Sequence, residues 1–221
     1  MAGMTGPAFP AESAPLVLDG PAGALEAAVD RAEKPRPVVA VLCHPLPTEG
    51  GTMHNKVVTM AARALRECGV DTVRFNFRGV GATEGSFDDG DGESQDLRAV
   101  ADWVRAQRPD AALWLAGFSF GAYVSLRMTA ELQPGGLVSI APPVGRSWDF
   151  EAIVPPTCPW LVVQGEADEI VEPQAVYDWV ASMPQVPELV RMPGASHFFH
   201  RKLIDLRGAI RNGVRTWLPH G

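Results

Sequence analysis

From residue 38 onward the chain alternates between short apolar, β-branched runs and longer stretches in which apolar residues return every three or four positions. Six of the runs, at 38–42, 72–77, 112–116, 137–141, 160–163 and 188–192, read as strands. The stretches between and after them predict helices near 57–68, 94–107, 121–132, 173–182 and 202–218. Before this pattern, 16–18 and 25–29 flank a Gly/Pro-rich turn at 19–23, which predicts an antiparallel pair and brings the strand count to about eight. Strands alternating with helices imply an α/β fold with a mainly parallel sheet.

Composition adds bounds rather than detail. A chain of 221 residues, 46% hydrophobic and 20% charged, suits one globular domain spanning 1–221. A net charge of −7 gives no basic surface for nucleic acid, so no nucleic-acid partner is expected. Residues 1–14 have no basic start followed by an apolar run and read as a loose N-terminal arm rather than a secretion signal. No apolar segment reaches the roughly 20 residues needed to span a bilayer, so no membrane partner is expected. Cys43, Cys68 and Cys158 form neither a CxxC pair nor a metal-ligand spacing and read as reduced thiols, which points to the cytoplasm.

The chemistry starts at Gly117-Phe118-Ser119-Phe120-Gly121, a G-x-S-x-G motif between a buried strand and a helix start. A sharp turn there lifts the Ser119 hydroxyl clear of the sheet at a helix N-terminus, where the Phe120 N–H faces developing negative charge. Asp168, in the loop after 160–163, is the candidate acid, with Glu166 and Glu169 as competitors. His197, in the loop after 188–192, is the candidate base, with His200 as its rival. The chain order Ser, Asp, His and the placement after strand ends both suit a catalytic triad in an open sheet. After the first parallel strand, Cys43-His44-Pro45-Leu46-Pro47 leaves few N–H donors, and Leu46 is the candidate second oxyanion donor.

These residues resemble the α/β-hydrolase superfamily, and within it the small lidless bacterial serine hydrolases. The resemblance rests on His44-Pro45 through Asn55-Lys56, on 75–79 with Gly81, Gly85 and Asp88, on the serine turn, and on the Asp168 and His197 loops. It implies an eight-stranded, mostly parallel sheet flanked by helices and the Ser119, His197, Asp168 triad. Where larger members insert a cap between the strands ending at Ala141 and starting at Trp160, this chain has only a short proline-rich link, so no cap domain is expected. Met53, Trp148, Phe150, Phe198 and Phe199, with Leu46, are candidates to line a shallow apolar acyl pocket, and each suits the core equally well.

The expected activity is carboxylesterase-like cleavage of a small-molecule acyl ester through an acyl-enzyme. Thioesterase, lactonase and peptidase chemistry use the same triad, and a non-hydrolytic binding protein on this fold is a further alternative. Gly79 to Gly85 superficially matches a dinucleotide loop but is followed by loop-like sequence instead of a helix. The aspartates at 88, 89, 91 and 96 lack EF-hand spacing. No cofactor and no metal are expected.

Overall fold

A computed structural model describes residues 6–220. Its eight strands are β1 (Ala14–Gly20), β2 (Gly23–Asp30), β3 (Val38–Cys43), β4 (Asp71–Phe75), β5 (Ala112–Phe118), β6 (Gly136–Ile140), β7 (Trp160–Gly165) and β8 (Glu188–Met192). They form one sheet in the order β1-β2-β4-β3-β5-β6-β7-β8. β2 pairs antiparallel with both β1 and β4, and every pair from β4 through β3 to β8 is parallel. β2 is therefore the one strand running against the others.

The helices are α1 (Lys56–Glu67), α2 (Asp91–Gln107), α3 (Phe120–Arg127), α4 (Thr129–Leu132), α5 (Pro173–Ala181) and α6 (Leu203–Val214). Strand periodicity divides the core between the two faces. In β3, Val39, Val41 and Cys43 join the cluster built with α2, α3 and α5, whereas Val38, Ala40 and Leu42 join the cluster built with α1 and α6. All six are buried, which is why the run reads as continuously apolar instead of alternating.

Two helices depart from the periodic pattern. The stretch expected as one helix over 121–132 breaks at Met128 into α3 and α4. The Ser125 hydroxyl donates to the Ala122 carbonyl and the Thr129 hydroxyl to the Leu126 carbonyl, local bonds that compete with the helical ladder. The last helix ends at Val214 and tightens into a 3-10 turn over Arg215–Trp217.

Residues 6–13, expected within a loose arm, lie against α2. The Trp103 indole N–H donates to the Pro7 carbonyl at 2.7 Å. Phe9 stacks on Trp103 and carries the Arg31 and Arg108 guanidiniums over its ring. A segment poor in secondary structure is thus fixed by the Phe9 ring and by bonds from Trp103 and Arg31 to Pro7, Pro10 and Ser13. Residues 1–5 of the expected arm lie outside the described residues. No helix of the described residues is long and apolar enough to cross a membrane.

Candidate active site

The carboxyl ends of four parallel strands meet at one edge of the sheet, where open α/β folds place their sites. β5 ends at Phe118, and Ser119 follows with φ 54° and ψ −119°, a backbone conformation that L-residues rarely adopt. Three contacts hold it there: the Ser119 N–H donates to the Ile140 carbonyl, and its own carbonyl accepts from the Ala122 and Tyr123 N–H groups. The turn needs α3 to press against β3. A Cβ on Gly121 would lie 2.2 Å from the Cys43 carbonyl oxygen, so only glycine allows the approach.

β7 and β8 lead into the loops that carry Asp168 and His197. The Ala167 N–H donates to the Ala195 carbonyl at 3.0 Å, and the Glu166 N–H to the Met192 carbonyl at 2.9 Å, which joins the two loops. Across this junction His197 Nδ1 lies 2.9 Å from Asp168 Oδ2, and His197 Nε2 lies 3.0 Å from Ser119 Oγ. The three side chains expected to act together therefore touch in series. An Nδ1–H facing the carboxylate leaves Nε2 free to accept the hydroxyl proton, the tautomer that general-base chemistry needs.

Asp168 has its other oxygen occupied. Oδ1 accepts the Ile170 and Val171 N–H groups at 2.9 and 2.8 Å, and Oδ2 also accepts from the Gln164 amide at 3.1 Å. Burial pushes the Asp168 carboxyl up, but the hydrogen bonds from His197, Val171 and Ile170 outweigh it and hold the group below the usual carboxylate range. It is thus ionised at neutral pH and oriented on both oxygens. The competing acid Glu169 instead accepts the His197 backbone N–H at 3.1 Å, so it steadies the base without reaching the ring.

The Leu46 and Phe120 N–H groups, the candidate oxyanion donors, flank the same cleft. Neither has an intramolecular acceptor among the described residues. The Leu46 loop hangs on His44, a fully buried imidazole whose side-chain role the sequence analysis did not assign. His44 Nδ1 lies 2.7 Å from the Pro45 carbonyl, and Nε2 accepts the Phe77 N–H at 3.0 Å. Burial pushes its pKa down to about 4, with the Pro45 carbonyl acting in the opposite direction, so the ring is a neutral two-sided brace. Gln164 was missed as well. Its signal is a polar residue at the end of an otherwise apolar strand run.

The cleft over Ser119 has a volume of about 520 Å³. Of the expected pocket residues, Leu46, Trp148 and Phe198 line it. Met53, Phe150 and Phe199 do not, and the structure corrects these three assignments. The Met53 N–H bonds the Asn76 side chain and its carbonyl accepts from Arg74, which turns the residue into the body of the protein. Phe150 packs edge-on to Trp179 and beside Tyr123 in the core. Phe199 is fully buried in the cluster with α1 and α6. Each of the three satisfies its apolar surface better inside than at the mouth. Between β6 and β7 no helix or strand intervenes, so nothing regular covers the cleft. Among the described residues no group of His, Cys, Asp and Glu has the arrangement to hold a metal.

Comparison with known proteins extends this geometry. An uncharacterized protein of Rickettsia prowazekii is 33% identical over 210 residues, 91% of this chain and 88% of its own length. A solved α/β serine hydrolase without a lid from Xanthomonas campestris is 68% identical, with a TM-score of 0.94 over 97% of this chain and 99% of that one. A solved α/β serine hydrolase homologue from Coxiella burnetii is 43% identical, with a TM-score of 0.90 over 94% of this chain and all of that one (100%). The model of the α/β hydrolase domain matches residues 39–207, which spans every strand from β3 to β8 and all three side chains in series, and the chain belongs to that family.

Proposed function

We propose that the protein is a carboxylesterase-like serine hydrolase that cleaves small acyl esters, with Ser119 as nucleophile, His197 as general base and acid, and Asp168 as the residue that orients and charges the base. The observation that carries this reading is the hydrogen-bonded series from Ser119 Oγ to His197 Nε2 at 3.0 Å and from His197 Nδ1 to Asp168 Oδ2 at 2.9 Å.

In the first step the Ser119 oxygen adds to the ester carbonyl carbon while its proton passes to His197 Nε2. The carbonyl oxygen becomes an oxyanion held by the Phe120 and Leu46 N–H groups, each worth about 100- to 1000-fold in rate where such a donor has been removed. The tetrahedral adduct collapses, the bond to the alcohol oxygen breaks, and His197 returns the proton to that oxygen. Water, deprotonated by His197, then adds to the acyl-enzyme and releases the carboxylic acid with Ser119 restored.

Trp148, Phe198 and Leu46 give the cleft an apolar lining that suits a small acyl group. A cytoplasmic setting belongs to the same proposal and is supported by three free thiols at Cys43, Cys68 and Cys158. The test is labelling by a fluorophosphonate together with hydrolysis of p-nitrophenyl butyrate. Wild type is expected to be labelled and active, and Ser119→Ala to be neither. An unlabelled, inactive wild-type protein, or a Ser119→Ala variant that keeps its activity, would overturn the reading.

A further inference from the structure

Next to the catalytic cleft lies a second concavity of about 350 Å³ that shares Phe198 and Asn55 with it but is not lined by Ser119. Phe198 and the apolar side chains of Val57 and Leu203 contribute to its lining, together with Lys56, His200 and Arg201. None of those three side chains forms an ion pair among the described residues. No carboxylate lines the concavity. Asp205, the acid next along the chain, faces Lys202 at 3.9 Å, and Glu49 belongs to the lining of the catalytic cleft instead. In a chain of net charge −7, a depression lined by the unpaired charges of Lys56 and Arg201 and by no acid runs against the overall charge balance. Arg201 also holds φ 60° without being glycine, in the loop that carries Phe198 and His200.

The direction of the reaction says which part of a substrate reaches this place. His197 must deliver its proton to the leaving oxygen, so the alcohol departs on the imidazole side, and Phe198 is the next residue, its ring edge-on to the His197 ring with centroids 5.0 Å apart. We propose that the concavity lined by Phe198 is a leaving-group subsite in which Lys56, His200 and Arg201 select esters whose alcohol carries an anionic group such as a phosphate. Its floor takes the short apolar part of the alcohol, and Lys56 and Arg201 meet the anion. The inference rests on the serine hydrolase reading for the identity of the leaving group.

The test compares butyryl esters of three alcohols, glycerol 3-phosphate, glycerol and choline, by kcat/KM from butyrate release. Exposed ion pairs are individually weak, at most about fivefold each, so the phosphate ester is expected to exceed the glycerol ester by about tenfold. The choline ester is expected to be the poorest of the three. The preference should shrink as salt screens the rim. Lys56→Glu places an acid in the first turn of α1, a position that helices favour, so this variant is expected to fold. In it the phosphate preference should fall, and in Lys56→Glu/Arg201→Glu the order should reverse in favour of choline. Ratios within one variant cancel any general loss of activity. Titration calorimetry of Ser119→Ala with glycerol 3-phosphate reads the same subsite without turnover, and its affinity is expected to fall about fivefold or more when Lys56→Glu is added.

Wild-type protein that hydrolyses all three esters equally, or a Lys56→Glu variant that keeps the wild-type order, would overturn the subsite and leave the hydrolase reading intact. Calorimetric binding that depends on Lys56, in a protein whose wild type cleaves no ester, would support the anion site while refuting the hydrolase reading.

Discussion

In the proposed mechanism Ser119, His197 and Asp168 act as one unit, and their loss should be measured that way. Ser119→Ala and His197→Ala are expected to lower kcat by similar amounts, on the order of 10⁴-fold or more, with Asp168→Ala milder, because removing either end of the proton path disables the nucleophile. Steady-state kinetics on a p-nitrophenyl ester checks the ranking, and a fully active His197→Ala protein would contradict it. Asp168 is held ionised by its bonds to the His197 ring and the Val171 and Ile170 N–H groups, against the cost of burial. Its contribution to stability is therefore present above the ordinary carboxylate pKa and is lost as pH falls through its lower folded value. His44 acts over a different window. Its folded pKa, pushed to about 4, lies below the unfolded value of about 6.5, so between the two the unfolded chain binds the extra proton. Stability is fully retained above the upper value and falls by about 3 kcal/mol as pH drops to the lower one. Urea unfolding between neutral and acid pH should show this loss, and His44→Gln should flatten it at a cost in stability at neutral pH.

At the level of elements, the site depends on loops that approach closely because a side chain is missing. A Cβ on Gly165 would lie 2.3 Å from the Ala195 carbonyl oxygen, at the junction of the acid and base loops. Gly165→Ala should force β7 and β8 apart, destabilise the protein by about 2 kcal/mol or more and weaken the Asp168 to His197 contact. Thermal unfolding and kcat together test this, since a wild-type melting curve with unchanged kcat would mean the junction yields freely. The same level shows what pattern alone could reveal. Five of the six apolar runs became parallel strands buried along most of their length, which leaves an unbroken hydrophobic signature, whereas β8 lies at the sheet edge with only Met192 buried; Ser119, Asp168 and His197 could be singled out because each follows such a run. The α3 to α4 break was hidden because it depends on the Ser125 and Thr129 hydroxyls turning back on the backbone, which apolar periodicity does not register. The pocket was legible only in part. Trp148 and Phe198 face the cleft while Phe150 and Phe199 pack inward, and an aromatic residue in a loop carries no local sign of which way it turns. His44 and Gln164 escaped notice because their roles are hydrogen bonds to groups distant along the chain or folded back upon it.

For the whole molecule, the main feature is a site assembled at one sheet edge with no regular element between β6 and β7 to cover it. Activity on a sparingly soluble ester such as tributyrin is therefore expected to rise smoothly with concentration and show no jump when droplets form. A sharp rise at that point, followed by pH-stat, would mean that some segment does cover the cleft. The fixing of residues 6–13 on Trp103 keeps the start of the described chain on the α2 side of the sheet, joined to the body by Pro7 and Phe9. In the proposed mechanism, a nucleophile with no cap domain over it also has no size filter. Whatever hangs behind a scissile bond stays outside while the bond itself enters, so esters displayed on a bead, a polymer or another macromolecule should be trimmed nearly as readily as the same ester free in solution.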